Sequence, residues 1–194
     1  MNSRIILPLL ILFLLLPQNV PGEESQATVS PEPGKIVSAA REVMGAARYC
    51  TLVTLGEEGH PEARVVDPFE PEDDLTVWVA TRAGTRKVAQ IQKDSRVTLF
   101  YFDPESFGYV TLLGRGELIR DPKEKAKHWK EEWAALYKDG SAGDDYLLIR
   151  VRPFRLEIVS YGHGLSGDPE TWVPPTLELP WDVQSPDPVS THEY

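Results

Sequence analysis

The chain has 194 residues, of which 41% are hydrophobic and 26% charged, a balance that suits one folded domain with a sizeable core. Its formal net charge of −10 disfavours a nucleic-acid partner, because binding a phosphate backbone requires a basic field. Any anion that the protein binds must therefore be held by a local cluster of cations.

The first 22 residues have the pattern of an export signal. One charge, Arg4, precedes an apolar run from Ile5 to Leu16, and small residues before Glu23 suit cleavage by a signal peptidase. The run is shorter than the roughly 20 residues that a membrane helix needs. We therefore expect a signal peptide over residues 1–22 and an exported protein, periplasmic or secreted. An uncleaved N-terminal membrane anchor is the alternative.

A flexible linker rich in Pro, Ser and Glu is predicted over residues 23–34. The folded body is expected to span residues 35–161, beginning with an amphipathic helix to Ala47. Alternation of polar residues with β-branched and aromatic ones then predicts strands. The predicted strands cover 49–55, 62–69, 75–81, 96–103, 109–119 and 146–161, the fifth bent at Gly114 or Gly116 and the last kinked around Pro153.

Two further helices are predicted inside this body. The first begins at Thr85, and the second runs from Pro122 to Tyr137 behind an Asp121 cap. Six or so antiparallel strands with short helices indicate a mostly β, α+β fold. We expect the sheet to form a small barrel or sandwich, because closure removes exposed strand edges.

The remaining residues, 162–194, form a Pro-rich C-terminal tail. Its aromatic side chains favour docking onto the body over a tail that hangs free. These side chains are Trp172, Trp181 and Tyr194. The sole cysteine, Cys50, cannot form an internal disulfide and is expected in the core.

A local cation cluster is predicted where the third strand gives way to a helix. Thr85 is placed to cap that helix, and Arg86 and Lys87 follow at its positive end, an unfavourable position unless an anion binds there. Phosphate at a helix start gains N–H donors, and arginine offers a planar fork to two oxygens. Arg64, within an apolar strand, also needs an anionic partner. A solvated surface turn is the alternative for the Thr-Arg-Lys segment.

Three segments together resemble the pyridoxamine 5'-phosphate oxidase-like superfamily, in its shorter general-stress-protein branch. They read TLVTLGEEGHPEARVVDPF, LTVWVATRAGTRKVAQIQKDSRVTLFYFD and YVTLLGRGELIRDP, within residues 36–161. The resemblance implies an antiparallel split β-barrel of the FMN-binding type, a homodimer, and FMN in grooves at the subunit interface. The tryptophan and arginine motif that closes the vitamin B6 oxidases has no counterpart after Tyr161.

The resemblance also implies roles for individual residues. Arg64, Arg86 and Lys87 would hold the FMN phosphate, with Thr85 at the helix start. The flavin ring would lie beside the remaining predicted contacts. These are Val65 and Val66, Thr81 at the end of the third strand, and Tyr101, supplied across the dimer.

Other kinds of site have little support in the sequence. The four histidines lack metal-ligand spacing, so no metal site is expected. His60 and His128 are predicted at the surface, whereas His163, between two glycines, is a candidate pocket residue. Ser160 lacks a nucleophile elbow, which disfavours a hydrolase triad.

Two functional hypotheses follow from the sequence. The first is an FMN-dependent oxidoreductase acting on a small molecule, in which the cofactor supplies the redox chemistry. The alternative is a non-catalytic split-barrel module in binding or stress response, with flavin, haem or a protein as its ligand.

Overall fold

The structure, a computed structural model, describes residues 31–180. Its helices are α1 (Pro33–Ala47), α2 (Arg86–Lys93) and α3 (Pro122–Lys127). Its strands are β1 (Cys50–Leu55), β2 (Pro61–Val66), β3 (Val77–Arg82), β4 (Arg96–Asp103), β5 (Gly108–Ile119), β6 (Tyr146–Val159) and β7 (Thr176–Glu178). Short 3₁₀ turns occupy Glu57–Gly59, Glu131–Ala135, Gly140–Ala142 and Tyr161–His163.

All strand pairs are antiparallel, in the order β2-β1-β4-β5-β6-β3, and β7 joins the outer part of β6. The sheet curls until its two end strands approach each other. Beyond β2, Pro68 forms a bridge with Val79 of β3, and the Phe69 N–H donates to the Trp78 carbonyl at 2.9 Å. This is the predicted split barrel, nearly closed at one point.

The core lies between the inner face of the sheet and α1. Alternate strand residues point inward, among them Leu52, Leu99 and Leu112, none of which is exposed to solvent. Burial of each such leucine contributes about 1.5–3 kcal/mol. α1 covers this face with a stripe at helical spacing, formed by Ile36, Ala39, Ala40, Val43 and Met44.

The predicted bend in the fifth strand is confirmed at Gly114. The register between β5 and β6 shifts between Leu113 and Gly114, which lies opposite Pro153. A Cβ atom at position 114 would lie 2.5 Å from the Arg152 carbonyl oxygen, so only glycine allows the two strands this close. Pro153 is accommodated at this irregularity, and β6 continues as one strand.

The prediction of one helix from Pro122 to Tyr137 is wrong beyond Lys127. Asp121 does cap α3, accepting hydrogen bonds from the N–H groups of Lys123 and Glu124 at 2.9 and 3.0 Å. At Lys130 the backbone becomes extended, with φ −114° and ψ 129°, and the 3₁₀ turn follows. Aromatic packing accounts for the break, because the side chains that suggested a helical stripe instead surround Tyr146. These side chains are Trp129, Trp133 and Tyr137.

We call this cluster the aromatic layer, formed by Phe69, Trp78, His128, Trp129, Trp133, Tyr137 and Tyr146. His128 was expected at the surface, but it is buried and stacks on Trp78 with ring centroids 4.3 Å apart. Its imidazole therefore contributes packing to the interior.

The C-terminal tail docks through β7, whose Leu177 pairs with Leu156 and packs on the core together with Leu179. Trp172 is 80% exposed, so this aromatic side chain is not the anchor that the sequence suggested. The other two aromatic residues of the tail lie outside the described residues, as do the predicted signal peptide and most of the linker. Between residues 31 and 180 no helix is both long and apolar enough to span a bilayer.

Candidate functional site

The predicted cation cluster forms where β3 leads into α2. The Thr85 hydroxyl donates to the Arg82 carbonyl at 2.9 Å and lies 3.3 Å from the Thr81 hydroxyl. The Lys87 ammonium donates to that same Thr81 oxygen at 3.0 Å. Thr85 makes no side-chain cap, so the first N–H groups of α2 are left without the usual side-chain acceptor.

Arg64 reaches this corner from β2, which holds its backbone opposite Leu52 of β1. Its guanidinium donates to the Thr54 hydroxyl at 2.5 Å and to Gln90 Oε1, on α2, at 3.0 Å. A weaker contact reaches the Leu52 carbonyl at 3.3 Å. These hydrogen bonds fix the orientation of the guanidinium, but every acceptor in them is neutral.

One carboxylate, Glu62, lies among the three cations. Its Oε2 is 3.2 Å from Arg86 and 3.6 Å from Arg64, although neither contact has hydrogen-bond geometry. Arg64 and Arg86 therefore share one carboxylate, and Lys87 donates to a neutral hydroxyl. Among these four side chains three are positive and one is negative, so the corner carries local positive charge within an acidic protein.

Burial, and then the charge of neighbouring cations, disfavours the charged forms of Arg64 and Lys87. Burial lowers the pKa of the Arg64 guanidinium, Glu62 offsets part of that effect, and the charge on Arg86 adds to it. Burial also lowers the pKa of Lys87, and the charge on Arg64 lowers it further. A bound dianion would relieve both effects, because it supplies the countercharge that the corner lacks.

A groove of about 300 Å³ opens beside the cluster. Five predicted cofactor contacts line it, namely Val65, Val66, Thr81, Thr85 and Lys87. The structure therefore brings these residues together, with Arg64 and Arg86 at the same corner. Asp67, Ala80 and Arg82 extend the lining.

Sequence reasoning missed a further wall of the groove, which consists of Trp133, Leu136 and Tyr137. Arg82 fixes this wall by donating to the Leu136 carbonyl, and its guanidinium lies 5.8 Å from the centroid of the Tyr137 ring. The aromatic spacing was visible in the sequence. It was assigned to a helix stripe, because nothing local indicated that the chain would turn here.

Tyr101 is separate from this group. It is only 2% exposed, on the inner face of β4, and it lines a different cavity. Its neighbours Phe100 and Phe102 point to the outer face and are exposed. In the described subunit the Tyr101 side chain lies on the side of β4 that faces the core. Its predicted role across a dimer stays a prediction.

One arrangement was not expected from sequence. The Ser160 hydroxyl lies 2.8 Å from His163 Nδ1, and His163 Nε2 lies 3.0 Å from a Glu42 carboxylate oxygen. The contacts follow the order of a hydrolase triad, but Ser160 is only 2% exposed and no substrate reaches it. The three side chains join α1 to the loop after β6, across 121 residues of sequence.

The family profile described as pyridoxamine 5'-phosphate oxidase like matches residues 36–158. A Clostridium acetobutylicum protein related to general stress protein 26 of Bacillus subtilis superposes with a TM-score of 0.62 at 18% identity, covering 76% of this chain and 96% of that one. General stress protein 26 of Bacillus anthracis gives 0.54 at 19% identity, covering 65% and 92%.

A third solved structure is a pyridoxamine 5'-phosphate oxidase-related, FMN-binding protein of Nostoc punctiforme. It gives a TM-score of 0.51 at 14% identity, covering 78% of this chain and 98% of that one. Similarity at these identities demonstrates a shared fold. No curated protein sequence matches the chain. The profile spans well over half of the residues, and the chain thus belongs to the pyridoxamine 5'-phosphate oxidase-like family.

Proposed function

We propose that the protein binds FMN at the corner between β2, β3 and α2 and serves as a flavin-dependent oxidoreductase for a small molecule. The observation that carries this proposal is the cluster of Arg64, Arg86 and Lys87, in which Glu62 is shared by the two arginines and Lys87 donates to a neutral hydroxyl. The phosphate of FMN is a dianion of matching charge, and it is attached to a flat, largely apolar ring system.

The residues present fit such a ligand. Lys87 and the two arginines supply charged donors, and the start of α2 supplies N–H groups and the positive end of the helix dipole. Val65 and Val66 line the groove together with Trp133 and Tyr137, and these apolar and aromatic side chains suit a planar ring. When bound, FMN supplies the redox chemistry, and the chain positions it and limits the access of water.

A homodimer is part of the proposal, because a groove of about 300 Å³ is at the small end for a ligand site and a flavin needs a second enclosing surface. The outer face of the sheet next to the groove is apolar. Val65, Thr51 and Phe100 form one cross-strand row, in which Val65 is 71% and Phe100 38% exposed. Since Val65 also lines the groove, this face continues directly from the cofactor site.

The dimer can be tested by light scattering. We expect a mass of two subunits for the unaltered protein and of one subunit for Phe100→Arg, with flavin binding weakened in that variant. Thr171→Arg, in the exposed loop before β7, is the matched control and should stay dimeric. A monomeric unaltered protein that still binds FMN tightly would contradict the interfacial groove.

Export of the protein also belongs to the proposal. It depends on the pattern of residues 1–22, which suits signal-peptidase cleavage before Glu23. N-terminal sequencing of the protein recovered from the extracytoplasmic fraction should begin at Glu23. An intact N-terminus in the membrane fraction would support the anchor, and cytoplasmic protein alone would contradict export.

Flavin binding itself is tested by titrating the purified protein with FMN and following the visible flavin absorbance. We expect saturation at one FMN per subunit, and much weaker binding by Arg86→Ala and Lys87→Ala. The absence of binding at micromolar FMN would reject the proposal. Saturable binding without reduction or reoxidation by any electron donor or acceptor would favour the non-catalytic flavin-binding module.

A further inference from the structure

A second cavity, which shares only Asp67 with the flavin groove, has features of a ligand site. It is open to solvent and has a volume of about 530 Å³ between α1 and the loop after β2, within the range of small-molecule pockets. The apolar part of its wall is formed by Met44, Pro68, Phe69 and Pro71, with Tyr101 from β4. Charged residues form much of the rest, namely Arg41, Arg48, Asp67, Glu70 and Lys130. We propose that this cavity binds a small planar aromatic acid, with its anionic group at Arg41 and Arg48.

Arg41 lies within α1 and Arg48 directly follows its last residue, and both line the cavity. The Arg41 guanidinium already holds the loop, donating to the carbonyls of Pro71 and Glu72 at 3.1 and 2.5 Å. Its nearest carboxylate oxygen, on the exposed Asp73, is 3.9 Å away. Arg48 forms no ion pair in the described residues, and its guanidinium lies 5.1 Å from the centroid of the Tyr49 ring. Positive charge on this side of the cavity is therefore incompletely matched.

The other charged side chains of the cavity come from outside α1. Lys130 is paired with Asp67 at 3.2 Å, so these two charges offset each other. Glu70 lines the cavity as well, and it is exposed to solvent. Since Arg48 has no ion-pair partner in the described residues, a carboxylate of the ligand is expected beside it and Arg41.

The backbone at Arg48 has a strained conformation, and this conformation sets the direction in which the side chain leaves the chain. Its φ is 59° and its ψ −51°, and the Tyr49 N–H donates to the Ala47 carbonyl at 2.6 Å. This is a γ-turn of the rare, strained form. Strain of this kind persists when surrounding structure imposes it, and it is concentrated at ligand sites.

Gly45 adds an independent observation. It lies in the last turn of α1 between the two arginines, although glycine is a poor helix former. A Cβ atom at this position would meet no atom within 4 Å, so packing does not require glycine there. Because Gly45 lines the cavity, its missing side chain keeps the space between the arginines open.

Tyr101 also lines the cavity. Its hydroxyl is buried beside the Cys50 thiol, so the hydroxyl belongs to the core and does not meet the ligand. Burial raises the pKa of Tyr101, so the phenol stays protonated in this apolar surrounding.

Calorimetric titration with 2-naphthoate tests the proposal, using the full chain without added flavin. The neutral isostere 2-naphthamide separates recognition of charge from recognition of shape. We expect saturable naphthoate binding with a dissociation constant below about 1 mM, and binding of the amide weaker by about tenfold. Because flavin is omitted, the outcome is independent of whether FMN binds in the other groove.

Three variants locate the site. Arg48→Asn, which tolerates positive φ, should weaken naphthoate binding about tenfold, and Gly45→Leu should abolish it by filling the space. Tyr101→Phe should leave naphthoate binding unchanged, because the hydroxyl is buried beside Cys50 and does not reach the cavity. Lys123→Gln, on exposed α3, is the control and should bind as the unaltered protein does.

Several outcomes would overturn the proposal. These are no saturation by about 1 mM naphthoate, equal affinity for the amide, and unaltered binding by Gly45→Leu.

Discussion

The two ends of α2 both carry clustered cations, yet they differ in how those charges are matched. At the C-terminal end, Asp94 accepts from the Arg96 side chain at 2.6 and 3.0 Å, and the helix dipole favours positive charge. At the N-terminal end the dipole opposes it, Arg86 shares one carboxylate with Arg64, and Lys87 donates to a neutral hydroxyl. The C-terminal end, where the charges are paired, contributes to the structure. The N-terminal end, where positive charge is incompletely paired, has the properties of a binding site.

This difference shows that the number of positive residues does not identify an anion site. What distinguishes one is positive charge that the fold leaves unbalanced and partly desolvated. The pKa shifts reflect this difference in charge balance. The pKa of Asp94 is lowered, which stabilises its carboxylate, whereas the pKa of Lys87 is lowered, which destabilises its ammonium form.

The largest effect is expected from Trp78→Ala, which removes support for the aromatic wall of the groove near the N-terminal end of α2. Trp78 is buried in the aromatic layer, and its ring stacks on His128. Truncation should lower the free energy of unfolding by about 3–5 kcal/mol. Chemical denaturation measures this, with Trp172→Ala as control, where the exposed ring should change stability by less than about 0.5 kcal/mol. Equal effects would show that the layer does not support the wall.

Next in size is the loss of FMN affinity in Lys87→Met compared with Lys93→Met. The two lysines lie in the first and last turns of the same helix, so both variants change its charge equally. Removing a charge-assisted hydrogen bond to phosphate should weaken binding roughly tenfold to hundredfold in Lys87→Met. Lys93→Met should bind FMN as the unaltered protein does. Equal losses would mean that overall charge, not the corner, determines affinity.

A smaller effect is expected on the stability of the flavin-free protein. Lys87→Met removes a charge that burial and Arg64 both disfavour. The free energy of unfolding should stay the same or rise by no more than about 1 kcal/mol, because solvent screens half-exposed charges. Thermal unfolding measures the change. A clear decrease in the melting temperature would show that Lys87 stabilises the fold, which would contradict the comparison between the two ends of α2.

The smallest effect concerns the pH dependence contributed by Asp94. Hydrogen bonds from the Arg96 side chain lower the pKa of Asp94 from 3.8 to about 2. Because the folded-state pKa is the lower one, the stabilisation is complete above about pH 4 and is lost as the pH falls toward 2. Asp94→Asn should remove this part of the pH dependence, worth less than about 1 kcal/mol for an exposed ion pair. An unchanged stability profile between pH 2 and 5 would contradict it.

Sequence predicted the features that neighbouring residues determine. The strand Arg96–Asp103 has its predicted bounds, because alternation alone specifies an exposed and a buried face. The cluster at Arg86 and Lys87 was also found, since the strand end, the turn and the helix start are adjacent in the chain. Arg64 joined the cluster through the pairing of β2 with β1, which a hairpin makes local.

Features that depend on distant contacts were missed. The helix predicted to reach Tyr137 ends early because Trp129 and Trp133 gain more from packing on Tyr146 than from continued helix. Glu62 was assigned no role, because its proximity to Arg86 follows from the curl of the sheet. Periodicity describes the faces of an element, but it does not specify which other element covers them.

The most direct test of the central claim compares the affinities of FMN and riboflavin, which differ only in the phosphate. If the corner of Arg64, Arg86 and Lys87 holds that phosphate, FMN should bind the unaltered protein at least about tenfold more tightly than riboflavin, and Lys87→Met should reduce this ratio. Equal affinities for the two flavins, or a ratio that Lys87→Met leaves unchanged, would contradict the account.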